Sequence, residues 1–181
     1  MIETLENLPD EKIIAVECDD ERLDMITRKV LSIANQSIGL HGQFNLVLSG
    51  NDALERVYAM LMLDPDLRGL PWDMTHVWKL HERVQDETIY DTITFHSGMP
   101  EEQIHTESLS QAVEADDCLQ FDCCIIDLSD YEEIPASMTS KCNTIIVVAD
   151  DRESLAEANL ISIDGEVIWF TKTIDLLEEN Q

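Results

Sequence analysis

The sequence predicts an α/β domain: a mostly parallel, Rossmann-like sheet flanked by helices, with a C-terminal hairpin. Three observations carry that expectation. Short β-like runs alternate along the chain with helical segments, as βαβ units require. The runs Phe121–Ile126 and 143–149 are almost continuously apolar, as strands buried on both faces are. The 181 residues are 44% apolar and contain no internal repeat or linker, so residues 1–181 read as one domain with one good core.

The elements follow in order. Lys12–Glu17 is the first strand, and Asp19 and Asp20 offer N-caps to the helix after it. That helix carries Leu23, Ile26, Val30, Ile33 and Ala34 at close to helical period, and Gly39–Gly42 breaks it. Phe44–Ser49 is the second strand. Gly50, Asn51 and Asp52 then turn into a helix through Leu54, Val57, Tyr58 and Leu61, which Asp64 and Pro65 end. Thr75–Lys79 is the third strand, with His81, Glu82 and Arg83 just past it. A short helix over 86–95, a loop at 97–100, a short strand over 103–105 and a helix over 107–115 come next. The two apolar strands follow, and Asp150 and Asp151 cap a helix over 154–159. Leu160–Ile163 and Glu166–Phe170 flank Asp164–Gly165, the turn signal of the hairpin, and a helix over 174–179 closes the chain.

Charge excludes whole classes of function. Lys and Arg number 11 against 38 Asp and Glu, a formal net charge of −27. Such a chain lacks the clustered bases that grip nucleic acid, and it is repelled by an anionic membrane surface. Residues 1–10 are acidic and mixed, unlike a signal peptide, and no run approaches the ~18 apolar residues of a membrane span. The five cysteines are odd in number, so a reducing cytoplasm is the expected compartment. Cys123 and Cys124 lack the C-x-x-C spacing of a metal pair and read as buried structural thiols pointing to opposite faces of a strand. No cofactor or metal is expected. Acids after two strands, Asp19–Glu21 and Asp127, have the look of a phosphoryl-accepting receiver. Three further strand candidates separate them, so they read as helix caps and strand ends.

One set of spacings points to a family. A strand runs into Leu48-Ser-Gly-Asn51 and a helix. Leu70-Pro-Trp-Asp73 leads to a strand ending in His81-Glu-Arg83. Later strands begin at Phe121-Asp122 and at Thr144, and Gly165–Phe170 precedes a closing helix. This order resembles the 6-phosphogluconolactonase and glucosamine-6-phosphate isomerase superfamily, its lactonase branch above all, over Ile13 to Leu177.

The resemblance implies a phosphate loop, Ser-Gly-Gly-Ser-Thr-Pro in the family, whose backbone N–H groups and helix N-terminus receive the sugar phosphate. Here Ser49 and Gly50 match, while Asn51, Asp52, Ala53 and Leu54 replace the rest. An Asp at that helix N-terminus is a good cap, yet it brings negative charge to the anion site. The family's Asp-Glu-Arg becomes His81-Glu82-Arg83, whose Arg could still hold a phosphate. The family's Gly-Met-Gly-x-Asp-Gly-His segment aligns with Asp127-Leu-Ser-Asp-Tyr-Glu-Glu133. The glycines that admit substrate are gone, and Glu133 stands in place of the His that activates water. The chain is also shorter than the family usually is.

The resemblance therefore implies a phosphate-binding set of Ser49, Gly50, Asn51 and Arg83, and leaves Glu133 and His81 as candidates for a general base. The expectation is a lactonase-like protein with impaired catalysis and a binding or regulatory role. The alternatives are an active sugar-phosphate lactonase or isomerase, and an acidic docking protein for a basic partner. The partner is thus a sugar phosphate or a protein. The question for the structure is whether Asp52, Asp127, Asp130 and Glu133 line a vacated pocket.

Overall fold

A computed structural model describes residues 13–63, 70–81, 87–151 and 164–172. Its strands are β1 (Ile13–Val16), β2 (Phe44–Leu48), β3 (Thr75–Lys79), β4 (Ile104–His105), β5 (Phe121–Asp127), β6 (Cys142–Asp151) and β7 (Glu166–Lys172). Between them lie α1 (Asp19–His41), α2 (Glu55–Leu63), α3 (Glu87–Ser97), α4 (Leu109–Ala115) and α5 (Ala136–Thr139). The strands form a single sheet in the order β1-β7-β6-β5-β2-β3-β4, and every pairing is parallel. The α/β expectation is met. The helices expected over 154–159 and 174–179, and the strand expected over 160–163, fall outside the described residues.

A parallel sheet must be covered on both faces, and the side chains divide accordingly. One face meets α1, α2 and α3 through Ile26, Val30, Val57, Leu61, Ile93 and their neighbours. The other meets α4 and α5 through Leu109, Ala112 and Met138, with Trp78, Phe121 and Tyr131. The central strands β2 and β5 are buried nearly end to end. Cys123 belongs to the first layer and Cys124 to the second, as the alternation of a strand requires. Burial pushes both thiols well above the ordinary range, so they are packing groups. Each fully buried Leu, Ile, Val or Phe contributes roughly 1.5–3 kcal/mol.

Several local expectations are corrected. The N-cap of α1 is Cys18; Asp19, Asp20 and Glu21 form its first turn, where their charge suits the helix dipole. The helix runs through Gly39 and ends at His41, because Gly42 adopts φ 80° and bonds back to Ile38. Asp150 and Asp151 belong to β6, with Asp151 in register with Lys172, and the helix they were expected to cap falls outside the described residues. The Asp164–Gly165 turn leads into β7, whose two edges carry parallel partners, β6 and β1. Glycine is required there by crowding. A Cβ on Gly165 would lie against the carbonyl oxygen of Cys142 and 2.8 Å from that of Asn143.

Scarce positive charge gathers where α1 meets the strand ends. Arg22 is buried and donates to the Ala149 carbonyl and, at 2.7 Å, to Asp19. Arg56 reaches Asp19 at 2.9 Å and Asp20 at 2.8 Å, and Lys172 reaches Asp19 at 3.2 Å. Three bases on one carboxylate tie α1, α2, β6 and β7 together. Partial burial by itself would raise the Asp19 carboxyl, but the Lys172 hydrogen bond and the Arg22 and Lys172 charges outweigh it and hold the carboxyl below its usual value. No helix among the described residues is long and apolar enough to cross a membrane.

Two outcomes are expected. Gly165→Ala should destabilise the protein by about 1–3 kcal/mol in urea denaturation, because the β6 backbone must yield. Asp19→Asn should be less stable than the native chain at neutral pH. Because the folded-state value is depressed, Asp19's contribution is full above about pH 3.9 and fades as pH falls through the folded value. Denaturation midpoints of the two proteins should therefore converge in acid.

Candidate functional site

The chain leaves β2 for β3 and β4 on one side, and leaves β5 for β6 and β7 on the other. The carboxyl ends of β2 and β5 therefore flank the topological switch point, where open α/β sheets bind ligands. Ser49, Gly50 and Asn51 emerge there from β2, and Asp127 opens the segment after β5. His81 follows at the end of β3, where Leu80 donates its N–H to the Leu48 carbonyl at 2.8 Å.

The β2 loop forms a small polar cradle, in which the Asn51 N–H donates to the Ser49 Oγ at 3.2 Å. Asn51 caps the following helical turn, its Oδ1 accepting from the Ala53 N–H at 3.0 Å. This corrects the expectation that Asp52 is the cap; Asp52 is exposed in the first turn. Ser49 is buried, its N–H bonds the Ile125 carbonyl at 3.1 Å, and its carbonyl accepts from the Tyr58 hydroxyl at 2.6 Å. Both backbone groups being committed, the side chain is fixed with its hydroxyl toward the β5 side.

Asp130 fills the cradle. The segment Leu128–Glu133 winds into a 3₁₀ helix started by Asp127, which accepts from the Ser129 N–H at 2.9 Å. The winding turns Asp130 inward, leaving it 2% exposed. Its Oδ2 accepts from the Ser49 hydroxyl at 2.5 Å and from the Asn51 amide at 3.4 Å, while Asn51 also reaches Ser129 at 3.0 Å. The Ser49 bond is the charge-assisted kind, a hydroxyl donating to a carboxylate. It sits beside a helix N-terminus, which favours an anion.

The four acids thus separate. Asp130 alone enters the cradle. Asp52 and Glu133 are exposed and Asp127 is a half-buried cap. Glu133, the expected stand-in for the water-activating His, does not line the cavity beside Ser49. That cavity is about 10 Å³, bounded by Leu48, Ser49, Gly50, Lys79, His81, Tyr90 and Ile93. It holds about one water. Structure brings together Ser49, Gly50 and His81 of the expected set, with Asn51 adjoining through Asp130. Arg83 and Glu82 fall outside the described residues.

Sequence reasoning missed Lys79 and Tyr90. Lys79 places its ammonium 4.4 Å from the centre of the Tyr90 ring, a cation–π contact. The Tyr90 hydroxyl donates its one proton to the His105 carbonyl at 3.0 Å, with the Val77 carbonyl a second acceptor at 3.3 Å. Burial, then the charges of Glu107 and Asp91, push its phenol far above the ordinary range. The strand end at Lys79 was the available signal, since it faces the same loop as Ser49. Of the other histidines, His41 ends α1, His96 lies in α3 and His105 lies in β4, within the strand expected over 103–105. Among the described residues no group of three His, Cys, Asp or Glu is disposed to hold a metal ion.

No family model matches the sequence, and no curated protein matches it. The fold, however, is shared with solved structures. The 6-phosphogluconolactonase from Thermotoga maritima aligns with a TM-score of 0.66 at 12% identity, over 90% of this chain and 100% of that one. The 6-phosphogluconolactonase from Leishmania guyanensis aligns at 0.66 and 10%, over 89% and 96%. That from Trypanosoma brucei aligns at 0.60 and 13%, over 89% and 95%. The chain has the fold of these lactonases.

The cradle makes a stability prediction. Ser49→Ala should cost about 1.5–3 kcal/mol, the usual worth of a hydrogen bond to a charged group. Ser49→Ala with Asp130→Ala should cost less than the sum of the single changes, measured by a double-mutant cycle in urea.

Proposed function

We propose that this protein keeps the lactonase fold, has lost most of the hydrolytic chemistry, and works by binding. The observation that carries this is Asp130 in the cradle. A phosphate arriving at Ser49 and Asn51 must displace a carboxylate already hydrogen-bonded there, and it meets that negative charge at close range. Glu133 is exposed and does not border the cavity beside Ser49, which supports the loss of a general base that must reach its water within hydrogen-bond distance. The cavity beside Ser49 is small against a sugar ring, which supports the same reading.

The test is hydrolysis of 6-phosphogluconolactone by the purified protein against the spontaneous rate. The expected rate is that of buffer alone. Turnover well above it, abolished by His81→Ala, would overturn the proposal.

A second reading is favoured by one observation: Lys79 and His81 border the same cavity as Ser49 and Gly50. On that reading the site takes a sugar phosphate after Asp130 moves aside, with Arg83 as a further phosphate ligand. A rise in Tm with millimolar 6-phosphogluconate would support it, since a ligand of the folded state stabilises by mass action. An unchanged Tm supports the binding role. The partner in that role is a protein with a basic surface, matched to the charge of −27. Salt should weaken its association.

A further inference from the structure

At the outer edge of the sheet, away from the switch point, two histidines meet nitrogen to nitrogen. His76 lies on β3 and His105 on the edge strand β4, and His76 Nδ1 stands 3.0 Å from His105 Nε2. Their ring centres are 5.3 Å apart. The two gaps differ by about two ring radii, so the nitrogens face head-on, the geometry of a shared proton. The other nitrogen of His105 lies 3.2 Å from a Glu107 carboxylate oxygen. Its ring stacks on Trp78 with centres 3.9 Å apart and planes 1° from parallel.

The strand that carries His105 is weakly held by its backbone. β4 has only two residues, Ile104 and His105, paired with Val77 and Trp78. The Tyr90 hydroxyl on the His105 carbonyl adds one bond. The imidazole link is thus one of a few side-chain contacts that close this edge, beside the Trp78 stack, the packing of Ile104 and the Gln103 amide, which donates to the Asp73 carbonyl at 2.8 Å.

We propose that the His76–His105 pair is a proton-operated latch that holds β4 on β3 and releases it when a second proton enters. In the neutral pair one N–H bridges to the facing nitrogen. The first added proton leaves the bridge intact, because one ring still offers a lone pair, and the resulting cation faces Glu107 and the Trp78 ring. The second added proton consumes that lone pair. Two cations then stand at hydrogen-bond distance and the bridge breaks.

The surroundings are consistent with this order. Glu107 lies on the His105 side. On the His76 side the register partner is Asn45 of β2, whose backbone N–H is bonded to Asp122 of β5 at 2.7 Å. Tyr90 of α3 approaches through its hydroxyl, with Asp91 next to it in the chain. Lys79 of β3 lies on the opposite face, over Tyr90. The only charged residue of α4 is Glu114, which is exposed, and α5 carries none. Partial burial, and then the charge of His105, hold His76 below its usual value. The folded protein therefore binds fewer protons than the unfolded chain as pH falls below about 6.5, and stability at this edge falls with pH there.

The test is hydrogen exchange by NMR on the native protein and on His76→Asn, which keeps a polar atom near the position of Nδ1 and cannot become a cation. The exchange of the Ile104 and His105 amides, corrected for the intrinsic effect of pH, should accelerate in the native protein. The expected gain is about tenfold per pH unit once the second proton is being taken up. It should be flat in His76→Asn, and the Cys124 and Ile125 amides of β5 should not follow it. In the same spectra His76 should titrate below the ordinary histidine value of about 6.5. An equal slope in the variant, an equal acceleration in β5, or a His76 that titrates at or above about pH 6.5 would each overturn the latch.

Discussion

The structure depends on how β2 is fastened to β5. These two strands are the pivot from which the sheet spreads both ways, and both are buried on each face. Two carboxylates from the β5 segment bracket β2. Asp122 takes the Asn45 N–H at 2.7 Å where β2 begins, and Asp130 takes the Ser49 hydroxyl at 2.5 Å where it ends. Both acids are buried. A buried carboxylate is tolerated only where donors surround it, so each fixes the backbone or side chain that supplies those donors. The register of β2 on β5, Leu46 with Cys123 through Leu48 with Ile125, lies between the two clamps.

The second clamp lies at the switch point of the sheet. A switch point in an open sheet presents backbone N–H groups, a helix N-terminus and small polar side chains to whatever anion arrives. In this chain the anion is part of the protein. After β5 the segment Leu128–Glu133, which contains no glycine, coils into a 3₁₀ helix, and the coil carries Asp130 into place. At the other end of the strand edge, Asp19 gathers Arg22, Arg56 and Lys172. With few bases available, three of them neutralise an internal acid, and so they are not at the cradle.

Much of the fold was legible because its signals are local. The apolar runs of β2, β3, β5 and β6 and the stripe on α1 follow from period and composition, and the order of elements carried the likeness to the lactonases. What could not be read depended on partners distant in sequence. Ser49 and Asp130 are brought together by the pairing of β2 with β5, and no spacing rule links them. Asp52 and Asn51 compete for one cap, and the choice follows from which side chain the incoming strand aims at Ala53. Gly165 looked like a turn glycine, but its need arises from the β6 carbonyls it passes. The acids at Asp127–Glu133 were visible as a group. Which of them turns inward is decided by a 3₁₀ winding that composition does not specify.

Cys123 and Cys124 have a use that follows from their position alone. They are neighbours on one buried strand, yet one thiol belongs to the layer under α1–α3 and the other to the layer under α4 and α5. Neither can meet a reagent until its own layer parts from the sheet. A thiol-labelling time course would therefore act as two clocks on a single strand. Equal rates would mean that the helical layers lift together as one cooperative unit, and unequal rates would identify which side of the sheet opens first.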